Sequence, residues 1–330
     1  MSRIAIIGDG GWGTALALVL LKNGHRVRVW GPFPDYIERV RASGENPLYL
    51  PGIRLPPGLE WTADRDAAAQ DAEAAVMAVP TKYFRTVAES FAGKLPRACP
   101  LVSVSKGLDP TTHERMTQVL AEVFSASPIA ALSGPSLAGE VARGIPTAVV
   151  LATASAGTAA GLQRLFAGDR FRIYTSDDVV GVELGGALKN VVAIAVGASD
   201  GIGFGDNTRA ALITRGLAEI TRLGVALGAR PPTFAGLSGM GDLIVTCSSR
   251  WSRNRAVGER LGRGEKIGAI LGDMKQVAEG VWNCANACAL ARDAGVSVPI
   301  SEEVRAVIHD GKDPHAAVEA LLARDLKAEG

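Results

Sequence analysis

The chain has 330 residues, of which 47% are hydrophobic and 21% charged, and its formal net charge is +1. This length exceeds the roughly 100 to 200 residues usual for one domain and predicts two; the composition excludes a disordered chain, and the balanced charge excludes a surface built to coat nucleic acid. Four cysteines, Cys99, Cys247, Cys284 and Cys288, are too few and too scattered for a disulfide framework, which points to a reducing compartment.

Met1-Ser2-Arg3 leads straight into the apolar run Ile4 to Ile7, which Gly8-Asp9-Gly10 ends too early for the hydrophobic region of a signal peptide. Runs of β-branched or aliphatic residues follow at Arg26 to Trp30, Ala74 to Val79, Pro100 to Val104 and Ile129 to Leu132, separated by stretches of helical periodicity. That alternation predicts a parallel sheet with crossover helices. Thr147 to Leu151 and Phe171 to Tyr174 extend it to about residue 175, with a helix over Ser155 to Phe166 between them. The uncharged stretch Gly144 to Gln163 is thus a strand and a helix, since its proline, glycines and polar residues make a poor membrane span.

After Asp177-Asp178 the pattern changes. Val179 to Val196 is apolar or small almost throughout, as in a helix buried all round. Asp206-Asn207-Thr208 offers a cap before a helix over Arg209 to Leu227, and further helices are predicted over Asn254 to Leu261, Val281 to Ala294 and Ser301 to Ile308. The expected organisation is therefore α/β over residues 1–178, as a dinucleotide-binding domain, and mainly helical over residues 179–330, as a substrate-binding and catalytic domain.

Gly8-Asp9-Gly10-Gly11-Trp12-Gly13 has the spacing of a dinucleotide fingerprint and lies between the first strand and a helix from about Trp12 to Lys22. Gly8 permits the tight turn, Gly10 lets a pyrophosphate approach the backbone, and Gly13 lets helix and strand pack closely, while the helix N-terminus supplies amide donors. Asp9 beside a pyrophosphate is unusual and is expected to turn outward or to cap locally. The second strand ends in Trp30-Gly31-Pro32-Phe33-Pro34-Asp35, with neither an acid at its very end for the ribose of NAD nor an arginine for the phosphate of NADP, so NAD or NADP is left open.

Lys189 is a lone cation in an otherwise apolar helix, and its burial should lower its pKa, as should a second cation nearby. A lysine that snorkels to the surface is the alternative. Lys106 follows a parallel strand, where such sheets place ligand contacts, or is an ordinary exposed loop lysine. Asn190 adjoins Lys189 but points about 100 degrees away around a helix, which suits a supporting role. Ser252-Arg253-Asn254 combines a guanidinium fork with neutral donors at a predicted helix start, as a phosphate requires; alternatively Arg250, Arg253 and Arg255 form a solvated basic face. Asp242 sits in the turn Gly239-Met240-Gly241-Asp242-Leu243, where it serves a site or caps a helix. His25, His113, His309 and His315 have no metal-ligand spacing, and Cys284 with Cys288 reads as a packed helix face, so no metal is expected.

Gly8 to Gly13, Ser105-Lys106-Gly107, Ser133-Gly134-Pro135-Ser136, Gly185-Gly186-Ala187-Leu188-Lys189-Asn190-Val191, Gly201 to Asn207, Gly241-Asp242-Leu243 and Ser252-Arg253-Asn254-Arg255 occur in one order. Together they resemble the bacterial type of NAD(P)-dependent glycerol-3-phosphate dehydrogenase, from Ile4 to about Gly311. The resemblance implies a Rossmann-like domain followed by a helical domain of the 6-phosphogluconate dehydrogenase C-terminal type. It implies a cytoplasmic homodimer, without nucleic acid or stable membrane insertion, that reduces dihydroxyacetone phosphate and feeds phospholipid synthesis. It makes Lys189 the general acid and base, has Lys106 touch substrate and nicotinamide, and places Asp242 in the substrate site. Ser252, Arg253 and Asn254 then hold the phosphate, Gly134 and Ser136 line the substrate and cofactor cleft with Ala138, and Gly11, Trp12, Ala138, Arg253, Val277 and Glu279 lie near the cofactor, although Glu279 could equally be a surface charge. The chain departs from the family at Pro32, where a basic or imidazole side chain is usual, and at Asp9, where small residues are usual. A lysine-using hydroxy-acid dehydrogenase of similar build and a redox-sensing cofactor binder are the competing readings.

Overall fold

The computed structural model describes residues 1–274 and 276–324, so the last six residues of the predicted second domain lie outside the described part. The strands are β1 (Arg3–Ile7), β2 (Arg26–Trp30), β3 (Glu45–Asn46), β4 (Leu50–Arg54), β5 (Leu59–Thr62), β6 (Ala74–Met77), β7 (Leu101–Ser103), β8 (Ile129–Ser133), β9 (Thr147–Ala152) and β10 (Phe171–Ser176). Eight of them form one sheet in the order β10-β9-β8-β7-β6-β1-β2-β5, while β3 and β4 make a small hairpin of their own. Apolar runs mark the central strands because both faces are covered: in β1, Ile4 and Ile6 enter one helix-covered core while Ala5 and Ile7 enter the other.

The expected all-parallel sheet is corrected at one place. β8 and β9 run antiparallel, with Leu132 opposite Leu151. The segment joining them contains a single helix of five residues, Ala138–Ala142, too short to carry the chain back along the sheet, so β9 starts from the end at which β8 stops. β10 then pairs parallel with β9. The hairpin β3–β4 and the edge strand β5 were not foreseen, since Glu45-Asn46 and Leu59-Glu60-Trp61-Thr62 are too short to show a period.

The second half is built around the helix Val179–Ile202, whose apolar character continues past the predicted end at Val196. It is long and apolar enough to cross a membrane, yet 83% of its apolar 18-residue window is buried inside the protein. The helix Asp206–Ala226 starts three residues earlier than expected, at a glycine N-cap and not at a side-chain cap. Helices Asp242–Ser248, Arg253–Gly262 and Gly280–Asp293 pack on the central helix. Two of these axes touch at backbone distance: a Cβ on Gly197 would lie 2.0 Å from Arg255 O, and one on Gly258 would lie 2.0 Å from Ile194 O. Only glycine permits that approach, which sets the start of Arg253–Gly262 beside the lysine-bearing part of the central helix.

Candidate active site

β1 ends at Ile7, and Gly8 turns the chain with φ +122° while its N–H donates to Trp30 O at 2.9 Å. A Cβ on Gly13 would lie 2.3 Å from Gly8 O, so the first turn of the helix Gly11–Lys22 can pack against β1 only as glycine. A Cβ on Gly10 would meet nothing within 4 Å. The turn therefore offers open space next to a helix N-terminus with free amides, which fits a pyrophosphate. Gly11 and Trp12 open that helix; Ala138 reaches towards it, 3.8 Å from a Cβ built on Gly11, and the Trp12 Nε1 is buried without an acceptor.

Asp9 does not turn outward. Its side chain is buried against Gly31, just beyond β2, where Oδ2 finds no hydrogen-bond donor, and burial pushes its carboxyl up to about 6. Inward packing is possible because Asn46 and Thr14 hold the turn's backbone, Asn46 Nδ2 donating to Asp9 O at 2.7 Å and to Thr14 Oγ1 at 2.8 Å.

Lys106, Gly134, Ser136, Lys189 and Asp242 come together at the C-terminal end of the sheet. The Lys106 ammonium donates to Gly134 O at 2.8 Å, to Ser136 Oγ at 3.2 Å and to Asp242 Oδ2 at 2.7 Å. Lys189 donates to Asp242 Oδ1 at 2.6 Å and to Thr246 Oγ1 at 2.6 Å. One carboxylate thus joins two cations carried by different halves of the chain. Lys189 is 5% exposed, so it does not snorkel, and burial, assisted by Lys106 and opposed by Asp242, pulls its pKa down to about 8. Asp242 caps no helix with its side chain; it follows a π-helical turn, Leu237–Gly241, that leads into the helix Asp242–Ser248.

The three arginines near residue 253 differ in what they touch. Arg255 is paired with Asp200 at 2.7 Å, and Arg250 lies over the Trp251 ring. Arg253 makes no hydrogen bond or ion pair among the described residues and keeps solvent access, although the surrounding protein lowers its pKa and Glu279 acts against that. Ser252 Oγ accepts from Arg255 N at 3.2 Å, which leaves the main-chain N–H groups of Arg253 and Asn254 without acceptors among the described residues. The Asn254 side chain is already engaged: its Nδ2 donates to Asn190 Oδ1 at 2.8 Å and its Oδ1 accepts from Gly280 N at 2.9 Å. Asn190 in turn donates to Lys106 O at 3.0 Å.

Glu279 is no free surface charge. Its carboxylate accepts from the N–H and hydroxyl of Thr81, at the start of the helix following β6, and burial raises its pKa. Val277 is partly buried in the turn before it. Pro32 and an exposed Phe33 follow β2. Sequence reasoning missed Thr246, Thr81, Asn46 and Asn283, whose Nδ2 donates to Lys106 O at 3.4 Å and to Ala187 O at 3.1 Å. Thr246 was recoverable, because it stands four residues after Asp242 and so shares its helix face; the others meet the site only through the fold.

A Rossmann-type sheet with a glycine turn at the end of β1, and a paired-lysine site where the helical half closes over the sheet, define an NAD(P)-dependent oxidoreductase. The family models for the N-terminus and the C-terminus of NAD-dependent glycerol-3-phosphate dehydrogenase match residues 3–159 and 178–319. The chain belongs to that family. It is 50% identical over 330 residues to a glycerol-3-phosphate dehydrogenase [NAD(P)+] of Geobacter sulfurreducens, covering 99% of this chain and 98% of the relative. A counterpart in Geobacillus kaustophilus is 48% identical, over 100% of this chain and 96% of its own. The crystal structure of glycerol-3-phosphate dehydrogenase from Coxiella burnetii superposes with a TM-score of 0.95 at 39% identity, covering 98% and 99% of the two chains.

Proposed function

We propose that the chain interconverts dihydroxyacetone phosphate and sn-glycerol 3-phosphate with NAD(H) or NADP(H), residues 1–178 binding the dinucleotide and residues 179–330 the substrate. The observation that carries this reading is the Asp242 carboxylate shared by Lys189 and Lys106 at the junction of the two halves.

The bound nicotinamide supplies or accepts the hydride equivalent at the substrate's C2. Reduction leaves negative charge on the C2 oxygen, which Lys106 stabilises as a fixed cation and Lys189 quenches by giving up a proton. A lysine with a pKa of about 8 suits that duty, because near neutrality it is charged yet loses its proton readily. In oxidation Lys189 takes the hydroxyl proton. Asp242 keeps the two ammonium groups together and Thr246 orients Lys189; Gly134 and Ser136 hold Lys106.

Arg253 grips the phosphate with its free guanidinium, and the unpaired N–H groups of Arg253 and Asn254, with Ser252 as the cap, complete an anion site at the helix start. Asn254 serves it through its main chain, while its side chain ties Asn190 to Gly280. Gly8, Gly10, Gly11, Trp12 and Gly13 would cradle the pyrophosphate of the dinucleotide, Lys106 would reach its nicotinamide, and Ala138, Arg253, Val277 and Glu279 would lie near the cofactor. The family resemblance further supports a cytoplasmic homodimer that supplies glycerol 3-phosphate for phospholipid synthesis.

Following NADH and NADPH oxidation with dihydroxyacetone phosphate against a panel of 2-keto acids tests the assignment. Turnover of dihydroxyacetone phosphate is expected; turnover of the acids alone would overturn it.

A further inference from the structure

Dinucleotide-binding sheets place the adenosine ribose at the C-terminal end of the second strand, where an acid accepts from its hydroxyls or an arginine receives a 2′-phosphate. Here β2 ends at Trp30 and neither residue type follows directly. The space is nevertheless acidic, because Asp9 reaches across from the glycine turn: a Cβ on Gly31 would lie 2.4 Å from Asp9 Oδ2. Asp9 is 7% exposed, and its Oδ2 is buried without a donor.

The chain segment after β2 is poor in groups that could receive a phosphate. Gly31 N–H is already used on Thr62 O at 3.1 Å, and Pro32 and Pro34 have no N–H. The helix Pro34–Ser43, which would otherwise present an anion-binding N-terminus, begins with proline and carries Asp35 in its first turn. Between Trp30 and Arg39 there is no basic side chain, Arg65 lies over the Trp30 ring at 5.4 Å from its centroid, and Phe33 is 60% exposed.

Resting on the dehydrogenase reading above, we infer that this chain selects NAD(H) over NADP(H), with Asp9 standing in for the acid missing from β2: it accepts from the adenosine ribose and repels a 2′-phosphate. The glycine turn thus carries two duties, backbone amides for the pyrophosphate and a side chain for the ribose. The titratable groups around Asp9 are the phenols of Tyr36 and Tyr49, with Arg39 acting on Tyr36; both phenols are pushed up from their usual range and stay neutral. Asp9, at about 6, is therefore the group of this corner that changes charge near neutrality.

The test is direct binding of NADH and NADPH to the full chain, by ligand fluorescence and calorimetry, for the wild type, Asp9→Asn and Asp9→Ser. At about pH 8 the wild type should bind NADH at least about tenfold more tightly than NADPH, since a buried carboxylate faces a dianion. Both variants should narrow that gap to less than about threefold, chiefly by tighter NADPH binding. At about pH 5 the wild-type gap should shrink by more than that of Asp9→Asn, in which only the nucleotide phosphate titrates. Equal wild-type affinities, or an undiminished gap in both variants, would overturn the inference while leaving the dehydrogenase assignment intact. Binding of neither nucleotide by the wild type would overturn both.

Discussion

Lys189 Nζ and Asp242 Oδ1 stand 2.6 Å apart in a buried ion pair whose other carboxylate oxygen is already held by Lys106. Because Asp242 would keep one cation if Lys189 were removed, Lys189→Ala should fold and bind NADH as the wild type does. Its kcat for dihydroxyacetone phosphate reduction should fall on the order of a thousandfold, as expected for loss of a general acid. Steady-state kinetics beside NADH titration separate the two effects, and a variant with wild-type turnover would refute the proton-transfer role.

The direction of the reaction sets the sign of its pH dependence. With Lys189 as the proposed acid and base, kcat for reduction should decline as pH rises through about 8, and oxidation, which uses the neutral amine, should accelerate through the same value. Opposed profiles crossing near that pH are the expected result. Parallel profiles would remove Lys189 as the shared group.

Asp242→Asn removes the charge that holds the Lys189 pKa up, while burial and Lys106 continue to pull it down. The inflection in the pH profile of oxidation should move below about 8, and kcat for reduction near neutrality should drop because less of the lysine carries its proton. An unmoved inflection would show that the carboxylate has no part in setting the proton affinity.

Two neighbouring arginines should respond differently. Arg253→Ala should raise KM for dihydroxyacetone phosphate roughly tenfold to a hundredfold, the worth of a lost charge-assisted contact, with little change in Tm. Arg255→Ala should do the reverse, since it strips a partner from the buried Asp200 carboxylate and lowers Tm while leaving KM near the wild-type value. Thermal melts and substrate titrations on both variants check the contrast.

Gly13→Ala introduces a Cβ 2.3 Å from Gly8 O. Overpacking of that kind costs roughly 1–3 kcal/mol and displaces the helix from the turn. Tm should fall, and NADH affinity should fall with it, as measured by melting and by quenching of protein fluorescence.

Much of this was legible in the sequence. The glycine turn could be read because strand and helix flank it, and Lys189 because a cation amid Gly185 to Val196 has few innocent explanations. The place of Lys106 after a strand left a loop lysine equally open, and Gly134 and Ser136 came only from the family resemblance. The inward course of Asp9 was not legible, since it depends on Gly31 leaving room beside β2 and on Asn46 holding the turn from a hairpin without sequence period. Nor was the reversal at β9, which is decided by the length of the helix before it. The double engagement of Asn254 escaped for a related cause: its partners Asn190 and Gly280 are remote in sequence, and polar pairs of that kind leave no periodic trace.

The carbonyl of Lys106 is held from the helical half, by Asn190 at 3.0 Å and by Asn283 at 3.4 Å, while Glu279 reaches across to Thr81. These bonds cross between the sheet and the helices, two of them at the lysine proposed to meet the substrate. A hinge parting the two lobes there would break all of them at once, so the two halves are expected to move as one body. The halves are for the same reason poor candidates for exchange as modules: a graft from a relative would have to bring its asparagines along with its lysine.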